Sequence, residues 1–148
     1  QSSILGGSGN NASGANSSVS GGRTNTASAN YSNVSGGRNN KAMTASYTSV
    51  SGGIGNTASA LYASVSGGFN NTASGSQSSI SGGSGGTASG PNSSIGGGVN
   101  STASGAGSSV SGGSGNIASG NESSVSGGLN HNSTGLRDWR AGGLFEDF

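Results

Sequence analysis

A branched aliphatic residue returns every fifteen positions along nearly the whole chain, and this period constrains the fold more than any other feature. Ile4, Val19, Val34, Val50, Val65, Ile80, Ile95, Val110 and Val125 form the series, with a single interval of sixteen between Val34 and Val50. A second series runs seven or eight residues out of phase: Ala12, Ala27, Ala42, Ala58, Ala73, Ala88, Ala103 and Ala118, with Ser133 in the ninth place. A fixed internal period marks a repeat architecture, in which each unit buries its apolar face only against its neighbours.

Around these residues the consensus reads Ser-Ser-Val-Ser-Gly-Gly-x-x-Asn-Thr-Ala-Ser-Gly-x-x. Val110 stands between Ser109 and Ser111, and Ala103 between Thr102 and Ser104. That polar–apolar–polar alternation marks two short strands per unit with the aliphatic side chain turned inward. Gly-Gly pairs such as Gly67-Gly68 and single glycines such as Gly75 and Gly105 mark the corners, where glycine accepts the positive φ of a tight turn. A helix is excluded, because glycine recurs in every unit and the repeat carries no 3.6-residue apolar stripe.

Strands this short persist only if successive coils pair with one another, at a spacing of about 4.8 Å. The predicted fold is therefore all-β: a single parallel β-solenoid of about nine coils over residues 1–135, followed by a non-repeat tail over 136–148. Nine coils at that spacing make a rod about 40 Å long. Its core is a Val/Ile file facing an Ala file, with much of the cohesion coming from ladders and stacked identical side chains.

A file of asparagines accompanies the core. Asn10, Asn25, Asn40, Asn56, Asn71 and Asn116 share the corner after Gly-Gly-x-x, replaced elsewhere by Gly86, Ser101 and His131. Their amides can hydrogen-bond along the rod and satisfy corner backbone groups, or simply tolerate a turn. The sixteen-residue unit contains Lys41-Ala42-Met43-Thr44-Ala45-Ser46, and Ala42 is the preferred inward residue with one extra residue after it. A local bulge is expected there.

Composition alone would point to a flexible linker, with 33 glycines among 148 residues and only 20 Leu, Ile, Val and Phe. The period argues against that. A net charge of +1 lacks the electrostatic footprint that nucleic acid or anionic membranes require, and no apolar run approaches the roughly 20 residues that span a bilayer. The expected partners thus exclude nucleic acid and membrane insertion. With no cysteine there is neither a disulfide framework nor a thiolate metal site. The chain starts at Gln1 without a basic-then-apolar leader, which fits a signal peptide already removed and an extracellular or cell-surface location.

Catalysis needs convergent acid, base, nucleophile or metal-ligand groups, and this chain offers one histidine and four carboxylates. Glu122, Asp138, Glu146 and Asp147 all lie in the last 27 residues, and His131 reads as a turn residue in the asparagine file. The serines lack a base, and the glycine-rich runs lack the lysine of a phosphate loop. No enzyme activity, metal or cofactor is expected.

The stretch Ala73-Ser74-Gly75-Ser76-Gln77-Ser78-Ser79-Ile80-Ser81-Gly82, with matches of the same style over about residues 2–135, resembles the head repeats of trimeric autotransporter adhesins, the YadA-like head or haemagglutinin repeat. That resemblance implies a left-handed parallel β-roll, often trimeric, displayed on a bacterial surface and engaged in adhesion. Here Ser commonly follows the aliphatic residue where the family often has a second one. The Asn/Ser/Thr/Gly composition is also similar to that of plant ice-binding β-rolls, and Thr26/Ser28, Thr57/Ser59, Thr72/Ser74, Thr87/Ser89 and Thr102/Ser104 would stack into a hydroxyl rank interrupted at Ile117.

Positions that the fold does not dictate carry the remaining information. Tyr31, Tyr47 and Tyr62 fall on consecutive coils, while Ile54, Phe69, Val99 and Leu129 share the opposite variable corner with Arg23 and Arg38. Exposed apolar edges of this kind mark contact with protein, carbohydrate or another copy. Ser2-Ser3-Ile4 is already in register, so the first coil presents unpaired strand groups, and the tail supplies an adhesive counterpart in Leu136, Trp139, Arg140, Leu144, Phe145 and Phe148. A heterologous contact of that kind propagates as a fibre if it does not close. The expected function is a structural subunit of an extracellular filament or surface fibre, partnered by itself as homopolymer or homotrimer. The alternatives are an adhesin head with a carbohydrate or host-surface ligand and, behind it, ice binding.

Overall fold

The structure is a computed structural model and describes residues 1–142. Among these residues, nineteen two-residue strands run from Ser3–Ile4 to Trp139–Arg140 and form two sheets, one of ten strands and one of nine. The Ser-Val strands build the first sheet and the Thr-Ala strands the second. Every pairing is parallel and joins equivalent residues of successive coils, as in Val19↔Val34, Val34↔Val50 and Val50↔Val65. The architecture is the all-β parallel solenoid that the period predicts, with fifteen-residue coils and two strands in each, consistent with a β-roll.

Each coil also pairs along a third line. The residues that follow Gly-Gly make single parallel bridges from Ser8 through Arg23, Arg38, Ile54, Phe69, Ser84, Val99 and Ser114 to Leu129. This variable corner is thus backbone-paired and ordered like a strand. The ladder likewise runs past residue 135, because Trp139 and Arg140 pair with Ser124 and Val125 in the regular register.

The predicted core files are buried from Val19 to Val125 and from Ala27 to Ala118, none of them more than 1% exposed. Ile4 and Ala12 belong to the same files but sit in the first coil, where only the following coil covers them; Ile4 is 48% exposed and Ala12 half-buried. Two inward positions per coil is too few, however. Side chains two apart on a strand share a face, so Ser17 accompanies Val19 inward and Asn25 accompanies Ala27. The asparagine file and a serine file, with Ser17, Ser32, Thr48, Ser78, Ser93, Ser108 and Ser123, are buried as completely as the aliphatic ones. Ala63 takes the serine slot in one coil, so small size is what the slot demands.

The corner glycines serve two different purposes. In the consensus Gly-Gly pairs from Gly6-Gly7 to Gly112-Gly113 the second residue takes a left-handed backbone and the first does not, as at Gly68 with φ 94°, whereas Gly127 and Gly128 both have positive φ. Gly75 and Gly105 do not have positive φ; they are buried, and a Cβ on either would run into the backbone carbonyl of the next coil. Close approach, not the turn itself, requires glycine there. In the sixteen-residue coil Ala42 points inward as predicted. The extra residue forms a tight turn in which Ala45 N–H donates to Met43 C=O at 3.0 Å across Thr44, at φ 74°. Both flanking strands keep register, so the irregularity stays in the corner and does not become a strand bulge.

Candidate functional site

The asparagine file joins coil to coil through the backbone, not amide to amide. Asn40 Nδ2 donates to Gly36 O within its own coil at 2.8 Å and to Gly53 O of the next at 2.9 Å. Asn40 Oδ1 accepts the backbone N–H of Asn56, at 2.9 Å. Asn10, Asn25, Asn56 and Asn71 repeat this pattern, and Asn116 repeats it with His131 N–H as the donor. His131 thus occupies the asparagine slot. At Gly86 the amide is missing, and Ile95 fills its volume: a Cβ on Gly86 would lie 3.6 Å from Ile95 Cδ1.

The three tyrosines lie in one column on the corner between the Thr-Ala and Ser-Val strands. Their rings stack, with centroids 4.9 Å apart at 6° for Tyr31–Tyr47 and 5.0 Å apart at 14° for Tyr47–Tyr62. Each backbone N–H is held by a carbonyl of the preceding coil: Tyr31 by Ala15, Tyr47 by Asn30 and Tyr62 by Ser46. The three-residue turn at Thr44 absorbs the insertion before Tyr47, which keeps that ring in the column. Stacking covers the ring faces between neighbours, so the column presents edges and hydroxyls to solvent. A sugar that packs on aromatic faces finds only the outer faces of Tyr31 and Tyr62.

On the third line of pairing, Arg23 and Arg38 are adjacent rungs, then Ile54 and Phe69, then Val99 and Leu129 separated by Ser84 and Ser114. The four apolar residues are 38 to 67% exposed, but the two serines break the apolar edge that their shared corner suggested. The hydroxyl rank is also shorter than the sequence pattern implied. Lys41 stands in register between Thr26 and Thr57, so the column is interrupted at Lys41 as well as at Ile117.

At the last described coil, Leu136 and Trp139 are 70% and 65% exposed, while Trp139 Nε1 donates to Ser126 Oγ at 2.8 Å. Trp139 and Arg140 are thereby part of their own rod's ladder; the predicted docking residues Leu144, Phe145 and Phe148 lie outside the described residues. The first coil exposes Ile4 and Leu5, the latter by 79%. One pair escaped sequence reasoning: Arg137 Nε meets Glu122 Oε2 at 2.7 Å on the tyrosine column, an exposed contact between residues fifteen apart. Hydrogen bonding to Glu122 and its charge raise the Arg137 pKa. The fifteen-residue spacing was the signal. Among the described residues, no three His, Asp or Glu side chains converge as a metal site would require.

Stacked coils with their chemistry displayed in surface columns define a β-solenoid repeat protein. Comparison with known protein families and with curated proteins gives no match to this chain.

Proposed function

We propose that the chain is a structural subunit of an extracellular β-solenoid filament or surface fibre, in which copies join end to end. The observation that carries the reading is the sameness of the backbone pairing at successive coil-to-coil junctions. Each coil gives its neighbour the same three lines of backbone bonds and, at six places, the same asparagine clasp, so a coil edge is complementary to the equivalent edge of another copy. The two ends of the described rod add apolar contact area, with Ile4 and Leu5 on one and Leu136 and Trp139 on the other. The tail then docks through these exposed side chains while its backbone stays in its own ladder. A non-catalytic, scaffolding role follows from the same reading.

The exposed tyrosine column favours a second reading, an adhesin head that engages a host or matrix ligand along that corner. Electron microscopy and sedimentation of the purified chain at micromolar concentration separate the two. Filaments or axial oligomers are expected, and the paired variant L5E/W139E should revert them to monomers without loss of β signal. A wild-type chain that stays monomeric and monodisperse overturns the filament reading.

A further inference from the structure

We propose that Tyr31, Tyr47 and Tyr62 form an oxidative cross-linking site, in which a one-electron oxidant of the haem-peroxidase class, using hydrogen peroxide, couples adjacent rings into an intrachain dityrosine. The three rings form an uninterrupted stack on consecutive coils. The three tyrosines sit at φ 54°, 61° and 58°, a left-handed conformation that is uncommon for a non-glycine residue. Other coils place Asn16, Gln77, Asn92, Gly107, Glu122 and Arg137 in the same left-handed column, so the turn accepts varied side chains and the run of three tyrosines is what sets these coils apart. Tyrosine occupies it three times running, and these are all the tyrosines of the chain. The column even stays aligned through the sixteen-residue coil.

The geometry suits radical coupling. The rings are about half exposed, so an oxidant reaches their edges and hydroxyls. Loss of one electron and one proton from a phenol leaves a phenoxyl radical with spin on the carbons ortho to oxygen. A second radical ring stands 4.9 or 5.0 Å away, with its backbone fixed by the hydrogen bond to the preceding coil. Proximity of this kind replaces a bimolecular encounter with an intramolecular step. The ortho carbons of the two rings join, and the hydrogen on each moves to its own oxygen, restoring both phenols. Two tyrosines lose two hydrogens in all, and one hydrogen peroxide becomes two waters. The product is a covalent rung between coils, with one of its ends always at the centre of the stack, in the coil that holds the insertion.

The test treats the 148-residue chain, at nanomolar concentration, with a haem peroxidase and hydrogen peroxide. Dityrosine fluorescence is expected in material that migrates as monomer, with a mass loss of two hydrogens. Trypsin cuts after Arg23, Arg38 and Lys41, so a Tyr31–Tyr47 link joins peptide 24–38 to peptide 42–137. Y47F leaves Tyr31 and Tyr62 two coils apart, and its monomer fluorescence should fall about tenfold or more. Y31F keeps the Tyr47–Tyr62 pair and its signal, which guards against a Y47F chain that has lost its fold. The proposal is overturned if wild-type monomer yields no dityrosine at an oxidant dose that couples free N-acetyltyrosine, if the links appear only in dimers, or if folded Y47F monomer couples as well as wild type.

Discussion

Asn56 shows what one side chain contributes to this rod. Its amide donates to Gly52 O and Gly68 O, each at 2.9 Å, and accepts from Asn71 N–H at 3.0 Å. Gly68 O also receives Ile54 N–H, so truncation would orphan chiefly Gly52 O and the buried Asn71 N–H. A buried group left without a partner costs about 1–3 kcal/mol, so Asn56→Ala should destabilise the fold by about 3 kcal/mol, read as a lowered midpoint in urea or heat. A loss of less than about 0.5 kcal/mol, the scale of an ordinary surface change, would mean the clasp is ornamental. The file itself was legible, because asparagine recurs at one phase of the period. Its partners were not, since spacing names the residues that stack but not the carbonyls they reach. The buried serine file was less legible still: serine also fills outward positions such as Ser18 and Ser20, and no property of the residue distinguishes the two settings.

Among the elements, the corners hold the contrast best suited to experiment. In the pair Gly36-Gly37, a Cβ on Gly36 meets nothing within 4 Å, whereas Gly37 has φ 84° and a Cβ there would overlap the Gly53 carbonyl. Gly36→Ala should therefore leave the thermal midpoint nearly unchanged. Gly37→Ala should cost several kcal/mol, combining left-handed strain of about 1–2 kcal/mol with separation of adjacent coils. Two variants of equal stability would refute this account of the corner. The strands were read correctly from alternation over three residues, and the third line of pairing was missed for a related reason. Its members, from Arg23 to Phe69 and Ser84, share no chemistry, because their backbones pair while their side chains face solvent.

At the scale of the whole molecule, the arrangement of charge sets the response to acid. Native-state carboxylates held below their ordinary pKa contribute stability that is lost as pH falls, and this drives most acid unfolding. Residues 1–121 contain no Asp, Glu or His, so eight of the nine coils have nothing of the kind to lose. The hydrogen bond to Glu122 and its charge raise the Arg137 pKa, a contribution that fades as pH rises into strong alkali and is small for so exposed a group. The β circular-dichroism signal and unfolding midpoint should accordingly change little between about pH 3 and pH 8. Cooperative loss of the whole fold near pH 4 would contradict this. Architecture was thus legible from period alone, whereas the surface columns depend on which exposed residues become neighbours, and only the stacking register decides that.

The ladders lie along the rod, so a pull on its two ends loads the coils in series and releases them one at a time. A freed coil of fifteen residues spans about 50 Å when extended, where it had occupied about 4.8 Å of rod. Under tension such a rod would yield in steps of about 45 Å while the remaining coils stay folded, and so act as a shock absorber.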